Sequence, residues 1–567
     1  MVVNVTTKIV TSRMSGFDKQ ESGYFEWVPL DGAGPLTTPW EVDKLWNDLS
    51  SLPTGPQSAN AHLPPLRFES VESGGATDVP KNEWTIAVDL TANLDLGGGV
   101  TIGAERKVDD LKRLVELSEG NADVAIVVQS VQSSFADRPT RMTGPKPEGN
   151  LDRFIIRDGQ ITNMVSVASE GLSENHTNLL QYATEFAPSE NIGMVINSHG
   201  GGPEGLVGGT GRETLQELSS AISRGLEGSG HDALNILDFD ACSMATPAVL
   251  ATLNPVVDYV VASELRERGS SNLNAQNLGA IFSELLKRPH ATAEELGQMF
   301  VENASDGVTP EVLKEDPYLH GPADVLAAFD TEQYGVFSSA LNNLGEVLTE
   351  AAKNSTTRHE IEKVFDIAEP LLGGKNYPER RDLSEFVRAL QSAAESGKLS
   401  DGDDAISKAA QKVIDAQSEL TVDVHRTDDR VYDGLEGMYA FLPVKDVRDG
   451  LVDGATGLRW LDQFSSRPVK DKDEALIKLD FVADEILGRL SENSGVRFQP
   501  VLEDINNIRN AKTDEQIKQS MQALNKTVQT LLKGDLEQEL IDAVVQSNEV
   551  PMANQWNVFL HSFTPAG

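Results

Sequence analysis

The chain has 567 residues, more than one ordinary domain, and 39% hydrophobic side chains with 19 Phe, 8 Tyr and 6 Trp suffice for a substantial core. Its 88 acidic against 48 basic side chains give a net charge of -40, which disfavours nucleic acid and anionic membrane surfaces as partners. A single cysteine excludes an internal disulfide, and no run of about 18 apolar residues offers a membrane span.

Residues 1–80 read as an irregular arm or pro-segment, punctuated by GAGPLTTPW, LPTGPQ and HLPPLRF, with one short helix expected in PWEVDKLWNDLSSL. No basic stretch followed by an apolar run opens the chain, so the expected location is cytoplasmic, with secretion by a route that leaves no such signal as the alternative. Strands and helices then alternate. WTIAVDL (84–90), DVAIVVQSV (123–131), NIGMVINSHG (191–200), ALNILDFDA (233–241) and VVDYVVASE (256–264) read as strands. VDDLKRLVELSEG (108–120), SENHTNLLQYATEF (173–186), RETLQELSSAISRGLEG (212–228) and TPAVLATL read as helices, and Asp158-Gly159 as a hairpin turn. Continuous Val/Ile runs separated by helices predict an α/β fold with a mostly parallel sheet covered on both faces. Residues from about 276 to 425 read as a largely helical insertion, followed by a strand in GLEGMYAFLPV. Residues 466–567 read as a C-terminal helical region, with apolar spacing in EALIKLDFVADEILGRL and EQIKQSMQALNKTVQTLL and an aromatic close in WNVFLHSF.

Chemistry gathers where two of these strands end. INSHGGG places His199 and three glycines after one strand, and LDFDACSM places the only cysteine, Cys242, after another. One helix and one strand separate them, a connection that sets two parallel strand ends side by side. Taken singly, a lone cysteine is most often a small buried hydrophobe and a lone loop histidine is solvated. Together they offer a thiol nucleophile and an imidazole to manage its proton, and the N–H groups of Gly200 and Cys242 are candidate oxyanion donors. With Cys242 read at a strand-to-helix junction, the first helical amides would also favour a thiolate.

SHGGG, then FDACSMAT, then YVVASE resembles the clostripain family of cysteine peptidases, in the clan of caspases, gingipains, legumains and separases. WTIAVDLTANLDL and GLEGMYAFLP are similar to that family's opening and late strands, so the resemblance covers about residues 82 to 465. It implies a caspase-like peptidase domain over 81–465, with His199 as catalytic histidine and Cys242 as nucleophile. It also implies that Asp240 lines an S1 pocket and selects Arg or Lys at P1, as a partly buried carboxylate beside a cation would. Asp238 stands where relatives carry glycine, and either adds negative charge to that pocket or faces away. LRERGSSNLN (265–274) has neither the proline nor the aromatic residue that shapes the pocket in many relatives. The resemblance further implies self-cleavage after a basic residue, at Arg212 in the glycine-rich loop or within 132–153.

The expected partner is a protein or peptide substrate with basic residues. A Cys–His mechanism requires no cofactor. The resemblance makes calcium a candidate, yet no EF-hand-like spacing assigns it ligands. The helical additions fit an enzyme held latent until an activating protein partner binds. The alternative is a catalytically idle interaction module of the same fold.

Overall fold

The computed structural model describes residues 81–90, 114–131, 150–208, 211–264, 275–303, 325–367, 380–399, 403–426, 435–445, 499–511, 513–531, 546 and 548–564. The expected arm over 1–80, the helical pattern in 474–490 and residues 132–149 of the self-cleavage loop read over 132–153 lie outside these residues, as does most of the helix read over 108–120; residues 150–153 of that loop begin a strand instead.

Nine strands form one sheet. In chain order the strands are β1 (Asn82–Leu90), β2 (Val124–Val131), β3 (Asn150–Arg157), β4 (Gln160–Ala168), β5 (Ser189–Asn197), β6 (His199–Gly200), β7 (Leu206–Gly208), β8 (Gly211–Glu213), β9 (Leu234–Asp240), β10 (Val257–Ser263), β11 (Val325–Asp330), β12 (Arg380–Asp382), β13 (Thr421–Arg426) and β14 (Tyr439–Phe441). The large sheet runs β13-β11-β10-β9-β5-β1-β2-β3-β4, while β6-β7-β8 and β12-β14 make two small ones. Its five central strands are parallel, and two antiparallel strands close each side. Asp158 and Gly159 turn β3 into β4 with φ of 50° and 67°, as the Asp-Gly pair predicts.

The helices are α1 (Leu172–Phe186), α2 (Leu215–Leu226), α3 (Pro247–Leu253), α4 (Ala275–Lys287), α5 (Ala293–Asn303), α6 (Tyr334–Ala351), α7 (Ser355–Ile367), α8 (Leu383–Glu395), α9 (Asp403–Leu420), α10 (Gln499–Asn510), α11 (Asp514–Leu531) and α12 (Asn554–Phe563). Alternation along each strand sends side chains to two apolar layers. On one face Met194, Ile196, Leu237 and Phe239 pack with Leu179 and Leu180 of α1, and Leu218 and Ile222 of α2. On the other, Ile86, Val195, Ile236 and Val261 pack with Phe282 of α4 and Met299 and Phe300 of α5.

One expectation changes. The region read as a helical insertion also supplies β11 and β13, whose six-residue strands, the apolar VLAAFD and the mixed TVDVHR, extend the main sheet. The aromatic close WNVFLHSF is helix α12, and its Trp556, Phe559 and Phe563 cluster with Phe365 and Phe386. A Cβ on Gly345 of α6 would lie 2.6 Å from the Gln555 carbonyl carbon, so the glycine lets the two helix backbones touch.

A network of charged groups is buried within this fold. His176 of α1 is fully buried, with Nδ1 2.7 Å from Glu213 Oε2 and Nε2 2.8 Å from Asp89 Oδ2. Both partners are carboxylates, so both ring nitrogens donate and the ring is an imidazolium. Gln129 Nε2 donates to the second Asp89 oxygen at 3.2 Å, and Arg153 Nε donates to Gln129 Oε1 at 2.7 Å. Burial alone would lower the His176 pKa, but the two carboxylates raise it from 6.5 to about 10.

This group titrates above its unfolded value. Its stabilisation is therefore complete below pH 6.5 and is lost as pH rises toward 10. Urea unfolding at pH 7, 8 and 9 should show the wild type losing up to about 1.4 kcal/mol per pH unit relative to His176→Gln. Parallel profiles for the two proteins would rule out a buried imidazolium.

Candidate active site

β5 and β9 pair in parallel and stop together, with Asn197 opposite Asp240. The Ser198 N–H donates to the Asp240 carbonyl at 3.1 Å, so the chain leaving β5 crosses at once over the end of β9. β5 ends at Asn197, earlier than the strand expected through Gly200. His199 and Gly200 instead form β6 and pair with Val207 and Leu206 of β7.

This course lays Gly200 directly on Cys242. A Cβ at Gly200 would sit 2.9 Å from both the backbone nitrogen and the carbonyl carbon of Cys242, and closer still to the carbonyl oxygen. Gly202 has φ +64°, and a Cβ there would meet the Ser243 carbonyl oxygen at 2.8 Å and the Tyr439 hydroxyl closer still. Two glycines of SHGGG therefore have a steric cause, and the histidine-bearing backbone is held one residue from the cysteine.

Cys242 is half-buried, on a turn in which Ser243 takes φ +57°. The expected strand-to-helix junction is not there. Helix α3 begins only at Pro247, which has no N–H, and the Val249 N–H is taken by the Thr246 cap at 3.2 Å. Any thiolate stabilisation must come from the turn and its neighbours.

The turn is tied from two sides. The Ala245 N–H donates to the Ser263 carbonyl at 3.0 Å, and the Tyr439 N–H donates to the Ala245 carbonyl at 3.1 Å. Glu264, the residue after β10, is buried and accepts from the Gly437 N–H at 3.1 Å. Asp382 accepts from the Glu436 N–H at 3.0 Å and the Glu385 N–H at 2.6 Å. Glu264 and Asp382 are close enough for the charge of Asp382 to favour the protonated form of Glu264. Burial, then Asp382, pushes the Glu264 carboxyl well above the usual range, and burial raises Asp382 to about 6 despite its amide donors. The segments DACSM, YVVASE and GLEGMYAF thus converge on one loop cluster. Sequence reasoning missed Glu264, Asp382 and Tyr439 as its supports. Glu264 and Tyr439 lie within quoted motifs, whereas Asp382 carries no local signal.

Asp240 is 1% exposed, and Asn197 Nδ2 donates to its Oδ2 at 2.5 Å. Asp238 does not face away: two residues earlier on β9, it shares the face of Asp240. It is equally buried, opposite Val195 of β5 and Val261 of β10. Arg212 lies in β8 opposite Val207, immediately before the buried Glu213. Among the described residues, no group of three or more His, Cys, Asp or Glu side chains could hold a metal ion, so calcium gains no ligand set there. No helix among them is long and apolar enough to cross a membrane.

A parallel α/β sheet with a cysteine turn beyond one central strand and a histidine-glycine segment beyond its neighbour defines a cysteine peptidase. The chain belongs to the clostripain family, whose profile matches residues 107–445. No curated protein matches it. Among solved structures, it is similar to a secreted C11 cysteine protease from Bacteroides thetaiotaomicron, "iotapain", at 14% identity, covering 61% of this chain and 87% of that one with a TM-score of 0.40. A secreted C11 protease of the same organism bound to an irreversible peptide inhibitor matches at 14% identity over 64% and 93%, with a TM-score of 0.41. An inactive zymogen C11 protease from Parabacteroides distasonis matches at 12% over 65% and 94%, again with a TM-score of 0.41.

The Gly200–Cys242 contact leaves no room for a side chain. Gly200→Ala should lower peptidase kcat/KM by at least about 100-fold, the scale of misplacing reacting groups by an ångström, while far-ultraviolet circular dichroism stays native. Wild-type kinetics in a folded Gly200→Ala protein would show that the contact is not needed.

Proposed function

We propose that the protein is an endopeptidase that cuts after Arg or Lys using a Cys242–His199 dyad. The observation that carries this is the packing of Gly200 on Cys242, which sets the histidine segment beside the chain's only cysteine. Cys242 Sγ attacks the scissile carbonyl carbon as His199 takes the thiol proton and then gives it to the leaving amine. The N–H groups of Gly200 and Cys242 receive the oxyanion, each worth about 3 kcal/mol in the transition state. Water then opens the thioester with His199 as base. These steps call for no cofactor.

Asp240 supplies the P1 preference from the end of β9. A carboxylate there, oriented by Asn197, pairs with a guanidinium or an ammonium. Its burial means that the cover over this strand end must move before a P1 side chain enters. That closure favours a latent enzyme, opened by self-cleavage or by a partner protein. We assign self-cleavage to the bond after Arg212. The new chain would begin at Glu213, whose side chain stays anchored on His176. A cytoplasmic site of action belongs to the same proposal and fits a chain with one cysteine.

Purified protein should hydrolyse Arg-P1 and Lys-P1 fluorogenic peptides, and Asp240→Asn should lower kcat/KM for both by about 100-fold, the scale of a lost charge-assisted pair. Undiminished cleavage after basic residues would remove Asp240 from the pocket. Mass spectrometry of the wild type should reveal a fragment starting at Glu213 that is missing from Cys242→Ala. Equal cutting of both proteins would point to another protease.

A further inference from the structure

We propose that Asp238 is a second specificity-determining acid of the S1 pocket, one strand step below Asp240, and that together they make the enzyme prefer Arg over Lys. The inference rests on the reading of Asp240 as the S1 acid. It goes beyond that reading by assigning a residue and a choice between two cations.

Asp238 is an anomaly as a purely structural residue. It lies at a central position of a central strand, is 1% exposed, and has Val195 and Val261 on the strands beside it. Neither of its carboxylate oxygens has a hydrogen-bond partner among the described residues. Buried carboxyls are ordinarily paired, because desolvation without compensation is costly. Four other buried acids near the sheet obey this rule: Asp89 and Glu213 hold His176, and Glu264 and Asp382 hold backbone amides. Asp238 alone of these five holds nothing. Burial, followed by the nearby Asp240, pushes its carboxyl well above the usual range.

A third acceptor completes the set. Asn197 donates through Nδ2 to Asp240, but its Oδ1 has no partner among the described residues. Asn197 and Asp240 are register partners, and Asp238 lies about 7 Å from Asp240 along the same face. Three partnerless acceptor oxygens therefore line one side of the sheet just below the cysteine turn. They are arranged in depth rather than around a point.

A guanidinium matches that arrangement. It presents five N–H donors in a planar fork, and one carboxylate satisfies only two of them. With Asp240 engaged at one edge, the remaining donors point deeper, toward Asp238 and the Asn197 amide oxygen. A lysine ammonium is a compact charge with three donors, which Asp240 and Asn197 can satisfy near the pocket mouth. Asp238 thus gains most from Arg.

The test compares kcat/KM for paired peptides differing only in Arg or Lys at P1, in wild type, Asp238→Asn, Asp238→Ser and Asp240→Asn, each checked for folding by its melting temperature. The wild-type Arg/Lys ratio should exceed about 10, and both Asp238 variants should lower Arg cleavage about tenfold and Lys cleavage less than about threefold. A wild-type ratio below about 3, which needs no variant, overturns the proposal. So does an unchanged ratio in a folded Asp238 variant. If that occurs while Asp240→Asn impairs both substrates, the S1 reading stands and only the role of Asp238 fails. If Asp240→Asn impairs neither, the S1 reading fails as well.

Discussion

The parallel pairing of β5 with β9 is the constraint on which the site depends. Because Asn197 is registered with Asp240, both strands stop at the same level, and the segments beyond them have nowhere to go except against one another. The first Ser198 hydrogen bond already points across the gap, and Gly200 then rests on Cys242. A one-residue slip would turn Asp238 and Asp240 into the face that α1 and α2 cover, and Leu237 and Phe239 out of it. The apolar alternation of β9 therefore fixes the chemistry as well as the core.

Buried charge does the fastening that short strands cannot. β6 has two residues, and its ladder to β7 and β8 would be marginal alone. Glu213 at the end of β8 is clamped by His176 of α1, which is also clamped to Asp89 of β1. The small sheet carrying His199 is thereby fixed to the large one through an imidazolium between two carboxylates. Such a group adds little net stability relative to a well-packed apolar core, but removing one partner leaves a buried charge uncompensated. The Glu264–Asp382 pair serves the same purpose on the other side of Cys242, joining the end of β10 to the loop before β14.

Much of this was legible in the chain itself. Five Val/Ile runs gave the central strands, and SHGGG and FDACSM marked the two that matter, because Gly is needed where backbones touch and because Cys occurs once. Three things were hidden. The cysteine turn looked like a helix start because TPAVLATL follows so closely, but Thr246 and Pro247 defer the helix. β11 and β13 were lost among helices because each is only six residues long and lies far from its partner in sequence. The His176 clamp joins residues on three elements far apart in the chain, and a histidine inside a helical pattern carries no sign of the carboxylates it will meet.

The placement of the acids bears on how such a site can be held shut. Cys242 is half-buried, whereas Asp240 and Asp238 are closed off completely. Two carboxyls on one strand face repel when ionised, and burial strengthens that repulsion. Without a bound cation, burial and then the nearby Asp240 favour the protonated form of Asp238, which has Val195 and Val261 on the strands beside it. Entry of a cationic side chain changes the balance, because its charge and donors compensate what the closed packing had to avoid. If these acids line the S1 pocket as proposed, the energy that opens it comes from the group it selects, and an apolar P1 residue, which brings no such compensation, is discriminated against at opening as well as in the bound state.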